Sequence, residues 1–127
     1  MKIGIIGAGK VGCSIGKYLT EHGFSVAGYC SKSKKSVEEA ATFTNTKAYD
    51  SLAELVAEST ILFLTTPDGA LESVWNELKK ESIQNKIVCH FSGSLSSDLF
   101  SNREEYGVSA ASFHPMYAFS DKFTSYR

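Results

Sequence analysis

Along the chain, short apolar runs alternate with longer stretches whose apolar residues recur every three or four positions. The first run is "KIGII". It is followed by "FSVAGYC", "TKAYD", "TILFLTTP", "KIVCHF" and "VSAASFH". Short, β-branched runs of this kind fit strands of a parallel sheet buried on both faces. The intervening segments read as helices. Val11, Ile15, Tyr18 and Leu19 recur at helical spacing, and that helix is predicted to close near Gly23. "KKSVEEAATF" follows with Ser33 as its N-cap. "SLAELVAES" opens with Ser51 and has Glu54 three residues later, a capping box. "DGALESVWNELKKES" sets Leu71, Val74, Trp75 and Leu78 on one face. "SSDLFSNREEYG" reads as a short helix closed by Gly107. This alternation predicts an α/β fold: a doubly wound, mainly parallel sheet of about six strands with helices on both faces. No solenoid repeat, low-complexity tract or linker interrupts it.

The opening nineteen residues, "MKIGIIGAGKVGCSIGKYL", invite three readings. A signal peptide needs an apolar core of about 7–15 residues and a small-residue cleavage site. Here the apolar stretch holds three glycines and stops at Lys10. A membrane span needs about 20 apolar residues. The third reading fits. Gly7-Ala8-Gly9-Lys10-Val11-Gly12 is G-x-G-x-x-G, after a strand, opening a helix and followed by a second strand. In a Rossmann-type fold each glycine has a task. Gly7 makes the tight turn, Gly9 lets the backbone approach a pyrophosphate, and Gly12 lets helix and strand pack closely. The first-turn N–H groups then face the phosphates.

The end of the second run suggests which dinucleotide. An NAD site usually carries Asp or Glu about 20 residues past the glycines, for the ribose 2′-hydroxyl. This chain reads Gly28-Tyr29-Cys30-Ser31-Lys32-Ser33-Lys34-Lys35, with no carboxylate before Glu38. Ser31, Lys32 and Ser33 could hydrogen-bond and neutralise a 2′-phosphate. The expected preference is NADP(H), with NAD(H) possible. The plainer alternative is a solvated turn with a serine cap, and one loop can do both.

Composition narrows the partners. The net charge is −1, so no basic field invites nucleic acid and any phosphate recognition must be local. Cys13, Cys30 and Cys89 form no C-x-x-C, and an odd count cannot pair fully within one chain. They read as small buried or half-buried thiols of a reduced, cytoplasmic protein. His22, His90 and His114 lack metal-ligand spacing.

Ligands of such sheets bind beyond the carboxyl ends of the strands. That edge collects the glycine loop, "CSKS", "TTPD", "HFSGS" and "FHPMYAF". Thr65, Thr66 and Pro67 end the fourth run and would border the ribose or nicotinamide, together with Asp68. Asp68 reads equally well as a helix cap. His90 and His114 stand at strand ends. Each is either a histidine satisfied within the fold or a proton donor and acceptor for carbonyl or imine reduction. Ser92 and Ser94 lie in a Gly-Ser turn suited to an anion or carbonyl.

The stretches "MKIGIIGAGKVGCSIGKYL", "TTPD", "HFSGSLSSDLF" and "SFHPMYAF" together resemble a group of NADP-binding Rossmann oxidoreductases. The group lies between pyrroline-carboxylate reductase, prephenate dehydrogenase and the deazaflavin-dependent NADP reductases. Its poorly characterised members join a Rossmann half to a helical domain. The resemblance spans nearly the whole chain. Carried over from the prephenate dehydrogenase pattern, it implies a catalytic His114 in the His-Pro motif and a site serine at Ser94. Two departures matter. Ser96 stands where that family has lysine, and Tyr117-Ala118-Phe119 replaces a Gly-rich stretch. Prephenate is therefore not implied as the substrate.

The expectation is an oxidoreductase half. Residues 1–115 would form the NAD(P)-binding domain. Residues 116–127 would be a tail towards a helical domain that dimerises and completes a pocket for a small-molecule substrate. Met116, Tyr117, Phe119, Phe123 and Tyr126 make that tail apolar, as a surface made to be covered. The alternatives are a non-catalytic module that senses NADP(H), and an accessory domain that binds nothing tightly.

Overall fold

The computed structural model describes residues 2–66, 68–90 and 107–112. The chain runs β1 (Ile3–Ile6), α1 (Lys10–Glu21), β2 (Val26–Cys30), α2 (Lys34–Thr44) and β3 (Lys47–Ala48). It continues α3 (Leu52–Glu58), β4 (Ile61–Leu64), α4 (Asp68–Leu78), β5 (Ile87–His90) and β6 (Ser109–Ser112). The strands form one sheet in the order β3-β2-β1-β4-β5-β6. Every neighbouring pair is parallel. The order runs outward in two directions from β1 and β4, so the switch point lies between them. In sheets of this order, ligands bind at that point, beyond the strands' carboxyl ends.

All four residues of β1 are buried, and its side chains divide between two cores. Ile3 and Ile5 join Cys13, Tyr29, Val37 and Ala40 under α1 and α2. Ile6 joins Leu55, Val56, Leu71, Trp75 and Leu78 under α3 and α4. β4 divides in the same way. Leu62 and Leu64 face the second core, while Ile61 and Phe63 pack against the first. A strand covered on both faces has no solvent side, and so these runs are apolar on consecutive positions.

The helix ends show why these segments start and stop where they do. α1 closes in a Schellman motif. Phe24 N–H donates to Leu19 O at 2.9 Å and Gly23 N–H to Thr20 O at 3.3 Å, with Gly23 at φ +82°. Asn45, at φ 57°, plays the same part for α2. Ser33 caps α2 by accepting from Ser36 N–H at 3.3 Å. Ser51 caps α3, accepting from Glu54 N–H at 3.3 Å and donating to Glu54 Oε1 at 3.2 Å. The serine half of the expected box forms, and Glu54 reaches back to the Ser51 hydroxyl in place of the Ser51 N–H.

Three sequence expectations change. The buried residues of α1 are Gly12, Cys13, Ser14 and Gly16, not the expected apolar stripe. Tyr18 is 46% exposed and stacks on His22. The helix lies so close to the sheet that only small residues fit beneath it, and the large ones flank the contact. The third strand shrinks to two residues. Asp68 is the first residue of α4 rather than the residue before it. The expected helix over "SSDLFSNREEYG" and the aromatic tail lie outside the described residues, apart from Gly107 itself. Among the described residues, no helix is long and apolar enough to cross a membrane.

Trp75 is fully buried among Leu71, Leu78 and the sheet. Trp75→Ala should cost about 3–5 kcal/mol, read as a lower urea midpoint at unchanged slope. Burial also pushes the Cys89 thiol from 9.0 up to about 11. Below pH 9 both folded and unfolded chains keep that proton. Above it the unfolded chain releases the proton first, so stability falls as pH rises towards 11. Melting temperatures at pH 8.5 and 10.5 should show this fall, and Cys89→Ala should make it shallower.

Candidate functional site

The switch point is built around the turn that joins β1 to α1. Gly7 sits at φ +107°, a conformation side chains oppose. Its N–H donates to Cys30 O at 2.9 Å, which ties the turn to the end of β2. From the other side, Thr65 Oγ1 donates to Gly7 O at 2.9 Å and lies 3.1 Å from Ile6 O. Thr65 N–H also donates to Ile6 O, at 2.9 Å. The turn is therefore held by both flanking strands.

The three glycines of the motif differ in their surroundings. A Cβ on Gly12 would lie 2.3 Å from Gly7 O and 2.7 Å from Thr65 Oγ1. No residue but glycine fits there without moving the turn. A Cβ on Gly9 would meet nothing within 4 Å. Gly9 is the exposed N-cap of α1, at φ −83°, and no side chain caps this helix. Ala8 is buried beneath it, Lys10 is exposed and Val11 half-buried. The result is a bare, open stretch of backbone at a helix N-terminus with no acidic residue in its first turn. Such an end attracts anions through its free N–H groups and the helix dipole.

The "CSKS" segment lies beside this turn because Cys30 O accepts from Gly7 N–H. Ser31 is half-buried, and Lys32, Ser33, Lys34 and Lys35 are exposed. Both serine hydroxyls are engaged locally. Ser31 Oγ accepts from Ser33 N–H at 3.4 Å, and Ser33 Oγ caps α2. Lys34 Nζ is 4.0 Å from Asp50 Oδ1 on the open surface, a weak pair. Cys30 Sγ is held protonated by burial, with Asp50 and Glu54 adding to the effect, so it is a poor nucleophile at neutral pH.

At the end of β4 the two threonines part company. Thr65 is spent on the β1 turn. Thr66 Oγ1 is a buried oxygen with no hydrogen-bond partner among the described residues. Thr66 N–H borders Gly7, 3.0 Å from where a Cβ on that glycine would be. A buried hydroxyl left unpaired costs free energy until something binds it. That orphan hydroxyl and the open backbone over Gly9 both fit a polar, anionic ligand at the switch point.

His90 ends β5, paired in register with Leu64, and its side chain is fully buried. That placement suits a histidine satisfied within the fold. His114, Ser94 and Pro67 lie outside the described residues, as does the side chain of Asp68. Among the described residues, no group of His, Cys, Asp and Glu is placed to hold a metal ion. Sequence reasoning overlooked Tyr29 and Gly16. Tyr29 Oη donates to Gly12 O at 2.8 Å, through a gap that only Gly16 leaves open. The signal was present as Gly12 and Gly16 four residues apart, which puts two bare positions on one helix face.

The fold recurs in solved structures. A Bacteroides fragilis protein described as an NADP oxidoreductase superposes with a TM-score of 0.77 at 23% identity, over 94% of this chain and 45% of its own. An imine reductase from Myxococcus stipitatus in complex with NADP+ gives 0.77 at 17% identity, over 94% and 42%. The UDP-N-acetylglucosamine 3-dehydrogenase of Acidithiobacillus ferrooxidans gives 0.70 at 18% identity, over 87% and 36%. The chain spans less than half the length of each of these proteins. Identities this low carry the fold alone. No curated protein matches the sequence. The Rossmann-like domain family matches residues 1–115, from the first strand through the sixth. With that match over most of its length, the chain belongs to the family of Rossmann-like domains.

Proposed function

We propose that this chain is the NADP(H)-binding half of an oxidoreductase. It would exchange hydride between the nicotinamide and a small carbonyl, imine or hydroxyl substrate. The observation that carries this reading is the open backbone over Gly9 at the head of α1. The pyrophosphate would lie against Gly9, Lys10 and Val11. The Thr66 hydroxyl, buried and unpaired among the described residues, would take a polar group of the cofactor as its partner. Lys32, with Ser31 and Ser33 beside it, would meet a 2′-phosphate. NAD(H), lacking that phosphate, would bind more weakly. When bound, the cofactor supplies the hydride, and the protein supplies position and electrostatics. Structural neighbours described as NADP-dependent enzymes support the cofactor class.

The proton would be managed by His114 or His90, with Ser94 orienting the substrate. The resemblance to prephenate dehydrogenase and pyrroline-carboxylate reductase supports His114 over His90, and so does the full burial of His90. Residues 1–115 would form the cofactor domain. Residues 116–127 would lead to a helical domain that completes the pocket and pairs two subunits in the cytoplasm.

Two substitutions test the cofactor site by calorimetry with NADPH and NADH. Calorimetry is preferred because Trp75 lies in the core and is a remote reporter. Gly9→Val fills open space at an ordinary φ, so the melting temperature should hold while NADPH binding is lost. Unchanged affinity would remove the pyrophosphate assignment. Lys32→Asp should weaken NADPH about tenfold or more, the scale of one charged hydrogen bond, and spare or improve NADH. Equal loss of both cofactors would make the "CSKS" loop purely structural.

A further inference from the structure

Two hydroxyls from the strands that flank β1 reach the glycine motif from opposite sides. Thr65 Oγ1, just past β4, donates to the carbonyl of Gly7 at 2.9 Å. Tyr29 Oη, on β2, donates to the carbonyl of Gly12 at 2.8 Å. Gly7 and Gly12 are the first and third glycines of the motif. They bracket Gly9, Lys10 and Val11, whose N–H groups would meet the pyrophosphate. The space for the tyrosine is specific. A Cβ on Gly16 would lie 1.8 Å from Tyr29 Oη and 2.9 Å from Tyr29 Cζ. Tyr29 is fully buried, so its hydroxyl needs a protein partner, and it finds one in the first turn of α1. The Gly12 carbonyl has a second lone pair for its own helical bond, so the tyrosine adds to the helix without competing with it.

We propose that Tyr29 and Thr65 are positioning residues for the dinucleotide. By holding the carbonyls of Gly12 and Gly7, their hydroxyls fix the direction of the N–H groups between them. Neither hydroxyl touches the ligand. The gain comes from preorganisation, since donors already aimed at the phosphates need no ordering when the ligand arrives. The inference rests on the dinucleotide reading given above and assigns Thr65 a bracing role within it.

The test compares two ligands by calorimetry on the whole protein, well below its melting temperature. NADPH carries the pyrophosphate that the loop would hold. Adenosine 2′-monophosphate lacks it and would report only the "CSKS" end of the site. Tyr29→Phe and Thr65→Val remove one hydroxyl each and nearly preserve shape. Each should weaken NADPH about 3–10-fold, the effect of one hydrogen bond, and leave adenosine 2′-monophosphate unchanged. Thr65→Ser keeps the hydroxyl and should restore NADPH affinity. It also keeps the test open if Tyr29→Phe does not fold. A lower melting temperature with unchanged NADPH affinity would make both residues merely structural and overturn the proposal. Equal weakening of both ligands would overturn it as well. If the wild-type protein binds neither ligand, the dinucleotide reading itself fails, an outcome distinct from failure of the brace.

Discussion

The head of the sheet depends on how closely α1 can approach the turn before it. A methyl group on residue 12 would sit 2.3 Å from the Gly7 carbonyl, inside any tolerable contact. Glycine at position 12 removes that obstacle, and the helix N-terminus settles directly over the end of β1. The same constraint recurs one turn later at Gly16, against Tyr29. A helix docked this closely has a small-residue face, so its larger apolar residues move to the flanks. Tyr18 becomes half-exposed, and Leu19 packs only at the margin of the core. The close approach then allows single hydroxyls from β2 and from the end of β4 to reach backbone carbonyls of the motif.

Charge is distributed along the carboxyl edge to match. In a sheet of parallel strands joined by helices, the N-termini of the four described helices lie at that edge. The first turns of α1 and α2 carry no acidic residue. α3 has Glu54 in its first turn, and α4 begins with Asp68. An anion is therefore favoured on the β1–β2 side. A chain of net charge −1 can still attract an anion to this side, because the field is local and short-ranged in salt.

Much of the fold was legible from pattern. The runs "KIGII" and "TILFLTTP" announce strands buried on both faces, and each does contribute to two cores. Ser33 and Ser51 were recognisable as caps because capping is a local interaction between residues three apart. The glycine motif was legible for a related reason. Its strand, turn and helix are contiguous, so the chemistry and its context share one short window.

The chain by itself determined the element order, the helix caps, the glycine turn and the basic loop after β2. All of these follow from neighbours within a few residues. Only the tertiary structure decided which side chains remain available to a ligand. Thr65 and Thr66 are identical in sequence terms, yet one is committed to the Gly7 carbonyl and the other has no partner among the described residues. His90 reads as a residue at the binding edge, yet its ring is fully buried. Tyr29 reads as one more core aromatic, yet its hydroxyl ends on the backbone of the motif. Each of these outcomes depends on contacts between residues 17 to 58 positions apart or on packing across the sheet. Local spacing carries no information about them, because they exist only once β1, β2 and β4 lie side by side.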